Sequence, residues 1–238
     1  MKPAPKTQRS PADRMVRAAA DLLHDGGIEA VSTRAVAAAA GVQPPAIYRQ
    51  FGDKEGLLDA AARFVLESYM KQKRLIAGSS DDPATELRTL WDLHVQFGIN
   101  EPNCYVLVFG QALPGRVLST TTEAVALLAS VIARLGEQGR LKMSVDRATN
   151  YFRSTGTGFI LTQLATPPSE HDPELSSIIF DDTIAAITNE NRPVSRTTES
   201  LAGRAVALRE ALRAQRHPAL TTAESDLLAE WLNRLADN

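Results

Sequence analysis

The sequence predicts an all-α protein, with a small N-terminal bundle of three helices followed by a larger helical body. Sustained alternation of apolar and polar residues, which would indicate strands, is nearly absent. Instead, stretches rich in alanine, leucine and arginine repeat their apolar residues at helical spacing. Clusters of glycine, serine and proline, such as residues 78–83, separate these stretches.

The first four helices are predicted from their capping and stop residues. Gly26-Gly27 should end the first helix, and Ser32 and Thr33 offer caps for the second. Pro44-Pro45 suits the first turn of the third helix, where a missing N–H costs nothing, and Asp53 can cap the fourth. The four helices are expected at residues 13–24, 33–40, 43–50 and 54–75.

The rest of the chain is predicted to contain seven further helices and a polar linker at 192–198. These helices are expected at residues 84–100, 105–113, 121–137, 145–165, 173–189, 199–215 and 222–236. The predicted organisation is a disordered basic arm (1–12), a helix-turn-helix domain (13–59), a connecting helix (60–77) and a larger helical domain (78–238).

Composition limits the class of protein. Apolar residues make up 44% of the chain and charged residues 23%, which is typical of a globular domain with a core. No apolar run approaches the roughly 18 residues of a membrane helix, and the polar, basic start is not a secretory signal, so a cytoplasmic protein without membrane contact is expected. A single cysteine, Cys104, excludes an intramolecular disulfide and a cysteine-cluster metal site.

The charge distribution is uneven along the chain. Residues 1–75 contain 12 Lys or Arg and 8 Asp or Glu, a balance of +4. Residues 76–238 contain the remaining 14 and 20, a balance of −6. A basic N-terminal part followed by an acidic remainder indicates that the N-terminal part binds a polyanion. A charge excess of this size also arises by chance.

The segment 32–51 has the pattern of a helix-turn-helix. Ala37 is the small residue needed where two helices touch, and Gly41 can adopt the left-handed conformation of the turn. Apolar residues that would lock the two helices together are Val36, Ala40, Val42 and Ile47. Residues left over to reach a DNA major groove are Gln43, Ala46, Tyr48, Arg49 and Gln50.

This segment resembles the TetR family of bacterial transcription regulators. Members open the second helix with threonine, end it with an Ala-Gly-Val sequence, and continue with Tyr-x-x-Phe, Lys-Glu and a leucine pair. The corresponding residues here are Thr33, Ala40-Gly41-Val42, Tyr48, Phe51, Lys54-Glu55 and Leu57-Leu58. The sequence departs from the family at Pro44-Pro45, where a polar residue followed by glycine or alanine is common.

The resemblance implies that the protein binds double-stranded DNA. Thr33 and Tyr48 would contact phosphates, Lys54 the backbone, and Gln43 and Arg49 base edges. The implied DNA-binding residues are Thr33, Arg34, Gln43, Pro44, Ala46, Tyr48, Arg49 and Lys54. Structural alternatives remain open for some of these: a helix cap for Thr33, a core aromatic for Tyr48 and a solvated charge for Arg49.

The resemblance also implies that the larger domain binds a small-molecule effector. Candidate residues that line a mostly apolar cavity are Trp91, His94, Phe97, Tyr105, Phe109, Tyr151, Phe152 and Phe159. The alternative is that these aromatic residues simply form the core. His94 and Cys104 lack further ligands at metal-binding spacing, so neither a metal nor a cofactor is expected.

The resemblance further implies that the protein is a homodimer, with helices near 145–165 and 173–189 forming the dimer interface. Such a dimer is expected to bind a palindromic or near-palindromic operator. A hydrophobic or aromatic effector would release it, so it would act as a repressor; an activator of the same fold is the alternative. A helical adaptor without DNA binding is a further alternative. An enzyme is not expected, because the segment 156–158 lacks the third glycine and preceding strand of a nucleotide fingerprint and no nucleophile with a base is evident.

Overall fold

The computed structural model describes residues 10–110, 119–189, 201–215 and 217–237. Helices account for most of these residues, and the one β-type pairing among them is an isolated bridge between Leu141 and Thr188, so the all-α prediction is confirmed. The helices are α1 (Pro11–Ala30), α2 (Thr33–Ala40), α3 (Pro44–Phe51), α4 (Lys54–Ile76), α5 (Pro83–Asn100), α6 (Pro102–Tyr105), α7 (Ser119–Glu137), α8 (Val145–Ala165), α9 (Leu175–Ile187), α10 (Leu201–Ala214) and α11 (Thr222–Ala236). Within the described ranges, none of them combines the length and the hydropathy that a bilayer span requires.

Most predicted helix ends agree with the structure. The ends of α2, α8 and α11 are as predicted, and those of most other helices differ by one or two residues. The helix predicted at 105–113 begins earlier, as α6 from Pro102 to Tyr105, and continues as a π-helical turn at Val106–Gly110. Residues 111–113 of that prediction lie outside the described residues. The predicted linker at 192–198 lies outside the described residues.

Helix α1 is longer at both ends than predicted. Ser10 and Asp13 form a capping box, in which the Asp13 N–H donates to Ser10 Oγ (3.1 Å), so α1 begins at Pro11 inside the segment expected to be disordered. Residues 1–9 of that predicted arm lie outside the described residues. At its other end α1 does not stop at the predicted glycine pair. Gly27 adopts φ 70° and ψ −168°, which kinks the helix before it resumes to Ala30.

The chain folds into two compact units. The first unit takes residues 1–71 and 97–121, and the second takes residues 72–96 and 122–238. The segment that follows residue 96 thus packs with the N-terminal helices, which the sequence did not indicate. The functional division at residue 78 stays a prediction.

In the second unit, the buried Glu86 organises the turn before α5. Its carboxylate accepts hydrogen bonds from the N–H groups of Gly78 (2.9 Å) and Ser80 (2.8 Å) and from Arg134 on α7 (2.7 Å). Arg134 also donates to the carbonyl of Ser80 (2.5 Å). Burial by itself raises the pKa of Glu86, but the hydrogen bonds from Arg134 and the two backbone N–H groups outweigh it and hold this pKa below its usual value.

The C-terminal helices α10 and α11 pack together as a hairpin. The carboxylate of Asp237, just after α11, accepts hydrogen bonds from the Ser144 N–H (2.9 Å) and hydroxyl (3.1 Å), and Arg147 donates to the Asp237 carbonyl (2.6 Å). These bonds attach the end of α11 to the first turn of α8. Trp231, by contrast, lies on the outer side of α11 and is 52% exposed.

Candidate nucleic-acid interface

Helices α2 and α3 form the predicted helix-turn-helix. The small contact residue Ala37 is buried, as are Val36 and Ala40 on α2 and Ile47 on α3. Gly41 has φ 65° and ψ 43°, the left-handed conformation that the turn requires and that a side chain disfavours. The N–H of residue 42 donates back to the Ala37 carbonyl (3.0 Å), which closes the end of α2. The sequence-based prediction is confirmed for Val36, Ala40 and Ile47, whereas Val42, the fourth residue of the predicted set, is only half-buried.

Helix α3 is anchored by a single buried residue and is otherwise free to meet a partner. Ile47 is its one buried residue, whereas Tyr48 is 53% exposed. The alternative that Tyr48 is a core aromatic is therefore wrong. Residues of α3 and its cap that are exposed or half-exposed are Gln43, Pro44, Pro45, Ala46, Tyr48, Arg49, Gln50 and Phe51.

Thr33 and Tyr48 bring two hydroxyl groups together from different helices. Ser32 is the cap of α2, because its Oγ accepts the Ala35 N–H (3.1 Å). Thr33 is thus the first helical residue and not the cap. Its Oγ1 lies 3.5 Å from the Tyr48 hydroxyl, and the neighbouring Arg34 is exposed. This group presents hydroxyl and cationic donors of the kind that contact DNA phosphates.

The start of α4 is fixed by a cap and by a close backbone approach. Asp53 Oδ1 accepts the Gly56 N–H (2.7 Å), as the predicted cap requires. A Cβ at Gly56 would lie 2.1 Å from the Phe51 carbonyl oxygen, so this position admits only glycine, a constraint that the sequence analysis missed. Lys54, half-buried, is the first residue of this helix.

Two basic residues near the far end of α4, Lys73 and Arg74, are buried or ion-paired. Lys73 is 7% exposed, and burial followed by the nearby charge of Arg153 lowers its pKa to about 8. Arg74 makes a bidentate ion pair with Glu123, from Nε to Oε1 (2.7 Å) and from Nη2 to Oε2 (2.9 Å). Neither side chain offers the exposed, unengaged charge that phosphate binding needs.

Helix α1 supports the helix-turn-helix from behind. Arg14 Nε donates to the carbonyl of Ala40 at the end of α2 (3.1 Å), and the Arg17 guanidinium lies 5.0 Å from the centre of the Phe64 ring on α4. Both arginines contribute to the positive charge of residues 1–75, yet each also makes a contact within the fold. Sequence patterns gave no signal for these contacts.

The end of α1 is joined to α6 by polar contacts. His24 Nδ1 lies 3.0 Å from Glu101 Oε2, and Asn103 donates to the His24 carbonyl (2.9 Å). A Cβ at Gly27 would lie 3.3 Å from Asn103 Oδ1, so the kink of α1 fits closely against α6. Next to Asn103, Cys104 is buried, and burial raises the pKa of its thiol to about 12.

The His24–Glu101 pair should make the stability of this junction depend on pH. The hydrogen bond to Glu101, with its charge, raises the pKa of His24 above 6.5. Because the folded pKa is the higher one, the stabilisation is complete below about 6.5 and is lost as pH rises through the raised pKa. We expect the advantage of the wild type over His24→Gln in thermal unfolding to shrink from about pH 6 to about pH 8. A pH-independent difference, or a His24 pKa at or below 6.5 by NMR, would contradict this, and Glu101→Gln should abolish the dependence.

The aromatic residues predicted to bind an effector fall into two groups. In the second unit, Trp91 packs against Phe152, Phe159 and Phe180 with ring centres 5.6, 6.0 and 5.8 Å away, and its Nε1 donates to Ser176 Oγ (3.0 Å). Phe180 was not singled out from the sequence. In this unit, burial followed by the charge of Lys73 lowers the pKa of His94 to about 3, which keeps its ring neutral.

The first unit holds the other aromatic group. Phe97 stacks on Tyr69 (4.6 Å between ring centres), and Tyr105 contacts both Phe97 (6.3 Å) and Phe109 (4.7 Å). Tyr69 was missed because it lies on α4, which was assigned to a connecting role. Tyr151 stands apart from these contacts, 45% exposed on α8. Effector binding by any of these residues stays a prediction.

The geometry of α2 and α3 defines a helix-turn-helix domain, and comparison with known proteins gives the same class. The sequence pattern described as "Bacterial regulatory proteins, tetR family" matches residues 15–61. The tetracycline repressor protein class A from transposon 1721 of Escherichia coli is 46% identical over 52 residues, which cover 22% of this chain and 24% of that protein. The chain spans from 24% to 54% of the length of the curated relatives that it matches.

Solved structures share the fold over most of the chain. A protein from Rhodococcus sp. RHA1 matches with a TM-score of 0.66 at 17% identity, covering 78% of this chain and 99% of that one. The transcriptional regulator FadR from Bacillus subtilis, solved in complex with stearoyl-CoA, matches with a TM-score of 0.63 at 14% identity, covering 74% and 99%. The N-terminal segment is thus similar to the TetR family of bacterial regulatory proteins, and the solved structures share the fold.

Proposed function

We propose that the protein is a DNA-binding transcriptional regulator that works in the cytoplasm and is controlled by a small-molecule effector. The observation that carries the proposal is the exposure of α3: Ile47 is its one buried residue, while Tyr48, Arg49 and Gln50 are exposed. An enzymatic role has no support in the family, whose members are regulators. A helical adaptor would not need an outward-facing helix with this set of DNA-contacting residue types.

Binding to fragmented genomic DNA tests the proposal directly. The full chain is immobilised and incubated with the fragments at physiological salt, and the retained sequences are determined. We expect a few fragments to be enriched and to share a palindromic or near-palindromic site. Retention of no fragment over a matched blank surface would refute DNA binding and favour the adaptor.

Two substitutions should separate affinity from specificity. Lys54, at the start of α4, is proposed to contact the DNA backbone, so Lys54→Ala should weaken binding to all sequences and reduce the salt slope by about one unit. Arg49 is exposed on α3 and is proposed to read a base, so Arg49→Ala should cost about 1–3 kcal/mol and relax preference at one position. Fluorescence anisotropy on operator and random duplexes measures both. Equal losses on both duplexes for both variants would contradict the assignment.

We further propose that the protein is a homodimer joined through α8 and α9. Both helices present apolar side chains to the outside, with Tyr151 45% and Ile178 49% exposed. A Cβ at Gly158 would meet nothing within 4 Å, so a partner helix can approach there, whereas Gly156 faces inward, its Cβ position 3.3 Å from the Trp91 ring of the same unit. A monomeric mass by light scattering at micromolar concentration would overturn the proposal.

The effector is proposed to be a hydrophobic or aromatic small molecule. FadR, which shares the fold, was solved with stearoyl-CoA, a ligand with a long apolar chain. A cavity of about 270 Å³ between α10 and α11 is lined by Arg209, Arg213 and Asp226 among others, and by none of the eight predicted residues, so it is not the basis of this proposal.

Release from DNA is the proposed outcome of effector binding, which would make the protein a repressor. An effector found by thermal-shift screening should lower operator affinity by a coupling of about 1–3 kcal/mol. Anisotropy titrations with and without the effector measure it. Tighter operator binding would instead favour an activator, and an effector that binds tightly without any change in operator affinity would refute the coupling.

A further inference from the structure

The C-terminal hairpin contains a cavity of about 270 Å³ between α10 and α11, and both helices belong to the second unit. Leu212 on α10 and Ala229 and Leu232 on α11 form its apolar part. Pockets for drug-sized ligands usually have volumes of about 300–1,000 Å³, so this one suits a smaller molecule. The rest of the lining is charged or polar, and its charges restrict what the cavity can bind.

Two arginines of α10 line one wall of the cavity and are held by a buried carboxylate. Glu210 is 1% exposed; Arg209 Nη1 donates to its Oε1 (2.6 Å), and Arg213 Nε lies 3.0 Å from its Oε2. Asp146 of α8, which is 76% exposed, approaches Arg209 Nη2 at 3.8 Å. The charge of Arg209 is therefore largely compensated, whereas Arg213 shares Glu210 and retains positive charge.

Both arginines keep hydrogen-bond donors for a ligand. Arg209 Nε is buried, but no atom of the described residues accepts a hydrogen bond from it. Arg213 is 64% exposed, and its Nη1 and Nη2 have no acceptor within the described ranges. A buried donor without an acceptor is unfavourable, and a guanidinium group matches the two oxygens of a carboxylate. This wall of the cavity is thus suited to a carboxylate.

The opposite wall carries a negative charge. Asp226 of α11 lines the cavity and is exposed. Although Arg209 and Arg213 line the same cavity, no ion pair joins Asp226 to either of them in the part of the chain that the structure describes. The cavity therefore separates a positive wall from a negative one. A ligand that spans it needs a negative group on one side and a positive group on the other.

We propose that this cavity binds a zwitterionic amino acid with an apolar side chain. The carboxylate of the ligand accepts hydrogen bonds from Arg213 and from Arg209 Nε, its ammonium group donates to Asp226, and its side chain covers the apolar part. A simple acid would bring a second negative charge near Asp226, and a simple amine would place its positive charge beside the arginines, so neither matches both walls. The inference goes beyond the proposed function and does not depend on DNA binding.

L-Leucine and two of its analogues test the proposal on the full chain. Isocaproate is leucine without the ammonium group, and isoamylamine is leucine without the carboxylate. Titrations followed by saturation-transfer NMR of each ligand measure the three affinities. We expect leucine to bind about ten- to a hundred-fold more tightly than either analogue, the usual effect of losing one charged hydrogen-bonded group. Equal affinity for leucine and either analogue, or no saturation transfer to leucine at about 10 mM, would overturn the proposal.

Substitutions in the two walls locate the binding. Asp226→Asn should weaken leucine binding by about ten-fold or more and leave isocaproate binding unchanged, so the preference for leucine disappears. Arg213→Gln should in the same way reduce the preference for leucine over isoamylamine. Arg234→Gln, at an arginine of α11 that pairs with Glu230 and does not line the cavity, is the matched control and should keep both wild-type preferences.

The Asp226 variant decides the matter even if Arg213→Gln disturbs Glu210 and the fold. Asp226 is exposed and makes no ion pair with the described residues, so its substitution should leave the hairpin intact. Leucine that bound Asp226→Asn as tightly as the wild type would occupy another site, and the proposal would be overturned.

Discussion

Replacement of Glu86 by alanine is expected to lower the free energy of unfolding by about 3–5 kcal/mol, the usual effect of removing one partner of a buried ion pair. The carboxylate of Glu86 is fully buried and accepts three hydrogen bonds. Its loss leaves the partly buried Arg134 without its partner and the N–H groups of Gly78 and Ser80 without an acceptor. Urea denaturation followed by far-UV circular dichroism measures the change.

The ion pair between Arg74 and Glu123 provides the control for this measurement. It has comparable geometry, but its side chains are 50% and 41% exposed. Solvent screening should therefore limit the effect of Glu123→Ala to about 0–1 kcal/mol. If Glu86→Ala were no more destabilising than this, the Glu86 network would not hold the turn before α5 together.

Replacement of Trp91 by alanine should have a similarly large effect, about 3–5 kcal/mol, because it empties the centre of an aromatic cluster. Trp91 is 1% exposed, contacts three phenylalanine rings and lies 3.3 Å from the Cβ position of Gly156. The same denaturation experiment applies. The result also bears on the predicted effector site, since a residue that mainly lined a ligand cavity would affect ligand affinity more than stability.

The second tryptophan of the chain is the natural control. Trp231 lies on the outer side of α11, half-exposed, so Trp231→Ala should change stability by no more than about 0.5 kcal/mol. Comparable losses for both variants would indicate that Trp231 is covered in solution, whereas a small loss for Trp91→Ala would contradict its place in the core.

Local signals explain what could be predicted from the sequence. The helix-turn-helix depends on short-range rules: a small residue at Ala37, a left-handed turn at Gly41 and apolar spacing across the turn. The structure shows a local cause of the same kind at the start of α8, where Ser144 caps the helix. Where neighbouring residues decide the conformation, inspection of the sequence is sufficient.

Contacts between distant residues explain most of what was missed. Arg134 is 48 residues from Glu86 and Asp237 is 93 from Ser144, and no periodic pattern connects such pairs. The path of α1 through Gly26 and Gly27 is a related case. Two glycines normally end a helix, but here α1 continues beyond the kink, where Gly27 fits against Asn103 of α6. Gly27 itself keeps the positive φ expected of a helix-ending glycine, and a short further helical stretch to Ala30 follows it.

The burial of Cys104 has a practical consequence for measuring motion. It is the only cysteine of the chain, and its buried, high-pKa thiol should not react with maleimide reagents while the protein is folded. The native sequence can therefore be used for site-directed spin or fluorophore labelling without first removing a thiol. A cysteine introduced in place of the exposed Gln50 would accept a single probe on each α3. In the proposed dimer, the distance between two such probes would measure whether the two α3 helices separate when the proposed effector is added.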